Sequence, residues 1–135
     1  MPKFKDKFKE TLPKDCPPEE KVSIFSKQPV LRLVTSATPT AQDFLSYAAL
    51  GITPRGDADP CMQCACSVFT LSEKVDRAAQ LKKLPKLRNR KHVARLTLTP
   101  ASGVGLLNKE SGHISWWIYH SFDPVGAIEQ VVSLP

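Results

Sequence analysis

Three groups of residues in this chain carry side chains able to do chemistry, and they lie far apart in the sequence. Cys61, Cys64 and Cys66 form a C-x-x-C-x-C cluster, and the spacing of the first two is one that zinc knuckles use. A tetrahedral site needs a fourth ligand, for which Cys16, His92 and His113 are the candidates, and no second C-x-x-C is present. Packing is the alternative, because cysteine behaves as a small hydrophobe and Cys64 and Cys66 flank Ala65 in an apolar run. No metal is therefore assigned. Three of the four cysteines crowd into six residues of an apolar run, so reduced thiols are expected rather than a disulfide framework.

The second group is Gly112-His113-Ile114-Ser115-Trp116-Trp117. Alternation puts His113, Ser115 and Trp117 on one face of a strand and Ile114, Trp116 and Ile118 on the other. If the first of these faces lines a cleft, it offers a general acid or base in His113, a hydroxyl in Ser115 and in Trp117 an indole on which a ring could stack. A hydrogen-bonded structural histidine is the alternative. The third group is basic: Arg77, Lys82, Lys83, Lys86, Arg88, Arg90, Lys91 and Arg95 occur with no acidic residue between them. Lys82, Lys83, Arg88, Arg90 and Lys91 would be the contacts to a nucleotide, a nucleic acid or an acidic protein partner. A solvated face whose cations favour a helix end is the alternative.

The elements that must position these groups follow from periodicity. Val30 to Thr35 is a β-branched, apolar first strand, with Arg32 in its middle facing away from Leu31 and Leu33. Thr40 caps an expected helix over Ala41 to Leu50, stopped by Gly51. Residues 52 to 60 have loop chemistry, Cys64 to Phe69 reads as a buried strand, and Thr70 with Glu73 opens an expected helix to about Leu84. His92 to Thr99, Val104 to Leu107 and His113 to Tyr119 read as strands. Asp123-Pro124 is an N-cap signature leading into an expected last helix through Val132. The fold class expected is α+β, a mixed sheet of about five strands with about three helices in the order β-α-β-α-β-β-β-α.

Ahead of these elements, residues 1–28 alternate lysine with Phe, Asp and Glu and hold four prolines. They read as a basic, poorly ordered arm on a single domain spanning 29–135. In the whole chain of 135 residues, 41% are hydrophobic and 24% charged, the ordinary balance of one globular domain. The net charge of +6 comes from the 77–95 run. No apolar run reaches the roughly 18 residues that a membrane helix needs, and the first ten residues lack the apolar stretch of a secretory signal, so no membrane contact and a cytoplasmic setting are expected.

Leu31-Arg32-Leu33-Val34, Thr38-Pro39-Thr40, Asp43-Phe44-Leu45-Ser46, Ser67-Val68-Phe69, Val93-Ala94-Arg95-Leu96 and the His113–Trp117 stretch resemble, in that order, a family of small, uncharacterised bacterial proteins. The resemblance covers about residues 30 to 132 and implies no particular activity. More distantly, the chain is similar to the ADP-ribosyltransferase type of fold, which places an arginine on its first strand against the pyrophosphate of NAD and a serine at the start of a central strand. Arg32 and Ser67 match those positions. The late glutamate of that fold has only Glu110 or Glu129 as counterparts. The similarity implies NAD as a cofactor; the leading expectation is a cleft for a nucleotide or nucleic-acid phosphate, with Arg32 on phosphate, Trp117 or Trp116 stacking a ring, and Ser67 as an orienting hydroxyl and His113 as acid, base or ribose contact at a catalytic centre. An interaction protein such as an antitoxin, immunity partner or mobile-element accessory, using the basic surface, is the expectation from another class.

Overall fold

In a computed structural model of the chain, residues 8–51, 59–70 and 91–133 are described. They build one seven-stranded sheet: β1 (Ser23–Ile24), β2 (Gln28–Val34), β3 (Cys66–Thr70), β4 (His92–Leu98), β5 (Gly103–Leu107), β6 (His113–Ile118) and β7 (Ile128–Ser133). The spatial order is β1-β5-β6-β3-β2-β4-β7, and every pairing is antiparallel. A 3-10 turn, Ala41–Phe44, and one helical turn, α1 (Pro60–Gln63), are the helical elements among the described residues.

Alternation sorts the core onto two faces. Val30, Val68, Leu96, Leu98, Ile114, Trp116 and Ile118 share a cluster with Phe25 and Phe44, over which Phe122, Val125 and Ala127 pack. The opposite face carries Leu33 and Val93 in one cluster, and Val104 and Trp117 in another with Phe8, Leu12 and Met62. Both faces of the central strands are thus covered, which is why β6 is buried at five of its six positions. Apolar side chains pointing both ways are what a doubly covered strand requires.

The register of the hairpin that presents His113 is set by Asn108. Its side-chain oxygen accepts from the backbone N–H groups of Glu110 and Ser111, an Asx turn, and Gly112 takes the positive φ of 76° that closes it. At the other end of the same hairpin, Ser102 closes the β4–β5 connection. Its hydroxyl accepts from Thr99 N–H, and its carbonyl accepts from both Trp116 Nε1 and Tyr119 N–H.

The α+β expectation is corrected: the described chain is almost wholly an antiparallel sheet, not a mixed sheet with three helices. The expected helix over Ala41 to Leu50 stops after one 3-10 turn. A helix would pass the Asp43 carbonyl to Tyr47 N–H and the Leu45 carbonyl to Ala49 N–H; instead Arg32 donates to both carbonyls, and Ala49 N–H donates to Ser46 Oγ. The expected last helix is β7. The Asp123-Pro124 signature does form a turn, with Ala127 N–H on the Asp123 carbonyl, but Ile128 to Ser133 then pair along the free edge of β4. The helix expected from Thr70 to Leu84 falls, after Thr70, outside the described residues.

Residues 8–27, within the segment expected as an arm, are tied to the sheet. Phe8 bridges Tyr119, Lys9 N–H donates to the Ile118 carbonyl, β1 pairs β5, and Phe25 lies in the core. The expectation of reduced thiols is also corrected, since Cys16 and Cys61 are joined in a disulfide across 45 residues. The cluster at 61–66 could not reveal this bond, because the partner cysteine lies in a distant segment.

Gly103 has φ of 139°, and a Cβ there would run into the Trp117 carbonyl and press on Trp116 Nε1. Gly51, at φ of 75°, has open space around it. Gly51→Ala should therefore cost roughly 1 kcal/mol from backbone strain alone, and Gly103→Ala roughly 3 kcal/mol or more from strain and collision together. Urea unfolding of both variants checks the order; equal losses would refute the close approach at Gly103.

Candidate functional site

Strands β2 and β3 pair only at Val30↔Thr70 and Leu31↔Phe69, whereas β2 pairs β4 over seven residues. Where β2 and β3 part, the Arg32 side chain fills the opening. Its Nη1 donates to the Ser67 carbonyl at 2.7 Å, Nε to the Asp43 carbonyl at 2.9 Å and Nη2 to the Leu45 carbonyl at 3.5 Å. The residue is only 4% exposed. Among the described residues, Arg95 with Glu129 is the one ion pair, so backbone carbonyls rather than a carboxylate face the Arg32 charge. The nearby Asp43 carboxylate is engaged elsewhere, by Thr35 N–H, Thr35 Oγ and Thr40 N–H.

Ser67 and His113 lie on the sheet face opposite to the Arg32 Cβ and share a hydrogen bond of 3.0 Å between Oγ and Nε2. The antiparallel register, Ser67↔Ser115 and Phe69↔His113, makes them diagonal neighbours. Phe69 packs edge-on against the imidazole at 5.1 Å. Burial first, and then the positive charge of Arg32, hold the His113 pKa below its ordinary value, so the ring is neutral at pH 7. A neutral imidazole bonded to a serine hydroxyl can take the hydroxyl proton, which is half of a nucleophilic site. Among the described residues no carboxylate is hydrogen-bonded to His113 to orient it.

The structure therefore brings Arg32, Ser67 and His113 into one hydrogen-bonded group and separates the two tryptophans from it. Trp116 is fully buried on the far face, edge-on to Phe44 and Phe122. Trp117 shares the His113 face but is 1% exposed, and its Nε1 donates to the Cys61 carbonyl at 3.2 Å. Of the basic contacts, Lys82, Lys83, Arg88 and Arg90 lie outside the described residues, and Lys91 is exposed just before β4.

A pocket of about 270 Å³ opens at the end of the sheet where β3 begins and β6 finishes. Phe8, Leu12, Phe44, Leu45, Trp116 and Phe122 supply its apolar lining; Glu10, Asp123, Lys9 and Cys64 supply its polar groups. Glu10 reaches in from the N-terminal segment, and its carboxylate accepts from both the N–H and the hydroxyl of the buried Ser46. Burial, and second the Glu10 charge, push the Cys64 thiol above its ordinary pKa. Lys9 turns its ammonium to the His120 carbonyl at 3.1 Å.

No protein family, curated protein or solved structure matches this chain. The chemistry must come from the geometry alone.

Glu10 and the Phe8, Phe44 and Phe122 rings were not read from the sequence as site residues, and Asp123 was read only as a helix cap. Glu10 sits in a lysine-rich stretch that reads as solvated, and only the return of that stretch to the end of β6 gives it a role. For the cysteines, the one usable signal was an even count of four.

Two outcomes follow. Replacing Arg32 by Lys should destabilise the fold by roughly 2–4 kcal/mol, nearly as much as Met does, because an ammonium cannot span three carbonyls held by a planar fork; full rescue by Lys in urea unfolding would show that charge alone matters. His113 has a lower pKa folded than unfolded, so the unfolded chain binds the extra proton. Its contribution to stability is complete above the unfolded value of about 6.5 and is lost as pH falls through the folded one. The difference in unfolding free energy between wild type and His113→Gln should shift in that acid window; a parallel pH dependence for both proteins would contradict the neutral assignment.

Proposed function

We propose that the protein is a non-catalytic binding module whose pocket takes a small organic cation, an apolar body with an ammonium or similar head. The supporting observation is the pocket's make-up: a 270 Å³ hollow walled by aromatic and aliphatic side chains, with two carboxylates against one ammonium at its polar positions. Its size is at the lower end of small-molecule sites, which suits a single ring or short chain. Asp123 is exposed and has no hydrogen bond to its carboxylate among the described residues, so it can pair with an incoming cation; aromatic faces add cation–π attraction.

A second reading is a nucleotide site, with NAD as its ligand and a transferase chemistry at Ser67 and His113. The Arg32–Ser67–His113 group supports it. Against it stands the burial of Arg32, three of whose donors are already on carbonyls. We place the protein in the cytoplasm under either reading, where a disulfide is made and broken rather than permanent. Among the described residues no helix is long and apolar enough to cross a membrane.

The test uses 2-phenylethylamine, its neutral counterpart 2-phenylethanol and its anionic counterpart phenylacetate at millimolar concentration. Amide and indole NMR shifts at Trp116 and Phe122 should rank amine above alcohol above acid. Asp123→Asn should weaken the amine alone by about two- to fivefold, as loss of a partly solvated ion pair does. Equal binding of the acid, or shifts clustered at Ser67 and His113 on adding NAD but none in the pocket, would overturn the proposal in favour of the second reading.

A further inference from the structure

Three of the four cysteines meet at one place. Cys16, from the N-terminal segment, is bonded to Cys61 at the start of α1, and its sulfur also lies 3.7 Å from the Cys61 carbonyl. Cys64, a free thiol, follows three residues later at the end of the same turn, where its N–H donates to the Cys61 carbonyl at 3.1 Å. Positions three apart on a helical turn share a face with Cβ atoms about 5–6 Å apart, so a small tightening of this single turn brings Cys61 and Cys64 to the roughly 3.5–4.5 Å between Cβ atoms that a disulfide needs. The free thiol therefore stands on the same turn as a disulfide-bonded cysteine, at the C-x-x-C spacing.

We propose that Cys16, Cys61 and Cys64 form a thiol–disulfide exchange site, in which the Cys64 thiolate attacks Cys61 Sγ and moves the bridge from Cys16–Cys61 to Cys61–Cys64. The Cys64–Cys61 bond forms as the Cys61–Cys16 bond breaks, and Cys16 leaves as the thiolate. Cys64 gives up one proton to solvent and Cys16 takes one up, so no oxidant or reductant enters and the chain keeps one disulfide throughout. Burial and the Glu10 charge hold Cys64 mostly as the thiol, which keeps the exchange slow at neutral pH.

The consequence reaches the pocket. The Cys16–Cys61 bond ties α1 to the segment that contributes Phe8, Glu10 and Leu12 to the pocket lining, while Cys64 lines the same pocket. After exchange the segment keeps its Phe8–Tyr119 ring contact and its Glu10–Ser46 hydrogen bonds but loses its covalent tie. Cys16, freed from α1, becomes the reactive thiol of the molecule. The exchange itself does not depend on what the pocket binds.

The test reads connectivity with no ligand present. Full-length protein carrying Cys66→Ala, to simplify mapping, is held without reductant at pH 8, quenched in acid at intervals, alkylated with N-ethylmaleimide and mapped by tryptic digestion. Cys16–Cys61 links two peptides, whereas Cys61 and Cys64 fall in one, since no Lys or Arg separates them. The label should move over time from Cys64 to Cys16 as the linked pair gives way to an internally bridged peptide. Cys64→Ser, which keeps the original disulfide and with it the fold, should leave Cys16 unlabelled throughout. Label confined to Cys64 at all times would overturn the proposal. So would stoichiometric zinc protecting all three cysteines of the reduced protein, which would make the cluster a metal site.

Discussion

The Arg32 guanidinium sits where β2 and β3 separate, and much of the molecule is arranged around the need to satisfy it. A charge that is 4% exposed, with no ion pair to a carboxylate among the described residues, must find several strong acceptors. It finds them in carbonyls from two places, the Asp43–Leu45 turn and β3. Taking those carbonyls stops the turn from continuing as a helix, so the chain leaves Phe44 extended and the ring drops edge-on against Trp116. Ala41, Phe44 and Leu45 then become a wall of the pocket. On the opposite face the same charge disfavours a second cation, one of the two reasons His113 stays neutral beside Ser67.

The N-terminal segment supplies what the sheet alone lacks. Lys9 donates to Ile118 at the end of β6, Glu10 caps Ser46, Cys16 bonds to Cys61, and Ser23–Ile24 adds an edge to β5. These ties are polar or covalent at their anchoring points, with Phe8 and Leu12 filling gaps between them. A segment held in this way can close a pocket without belonging to the central core. Its composition, rich in lysine and proline, is compatible with this because the stabilising groups are a few specific contacts rather than a continuous apolar stripe.

Strands were legible in the sequence where alternation or β-branching was strong. The stretches at Val30, His92, Val104 and His113 each stand in a strand, and the two faces of β6 follow from period two alone. The sequence was misleading where a local signal competed with a distant partner. Thr40 and Asp43 carry a helix start, yet the acceptors a helix needs were claimed by Arg32, eleven residues earlier. Asp123-Pro124 carries another, but a turn followed by Ile128, Val131 and Val132 beside the open edge of β4 gains a ladder of pairings from Leu96 to His92, with one register shift between Arg95 and Leu96, which one amphipathic turn could not match. Of the candidate residues, Arg32, Ser67 and His113 do converge; Trp116 faces the other way by alternation, and Trp117, four residues along the His113 face, is buried with its Nε1 on the Cys61 carbonyl. Glu10 and Cys16 carried no local mark at all, since their roles exist only after the chain has returned across the sheet.

The electrostatics of the whole and of the pocket point in opposite directions, and the difference is informative. A chain with net charge +6 repels cations at long range, yet salt screens that repulsion beyond a Debye length of about 8–10 Å. Inside a partly closed hollow a local carboxylate acts at short range: burial first, and then the Glu10 charge, push the Cys64 thiol up. Short-range recognition of a cation is therefore compatible with a basic surface.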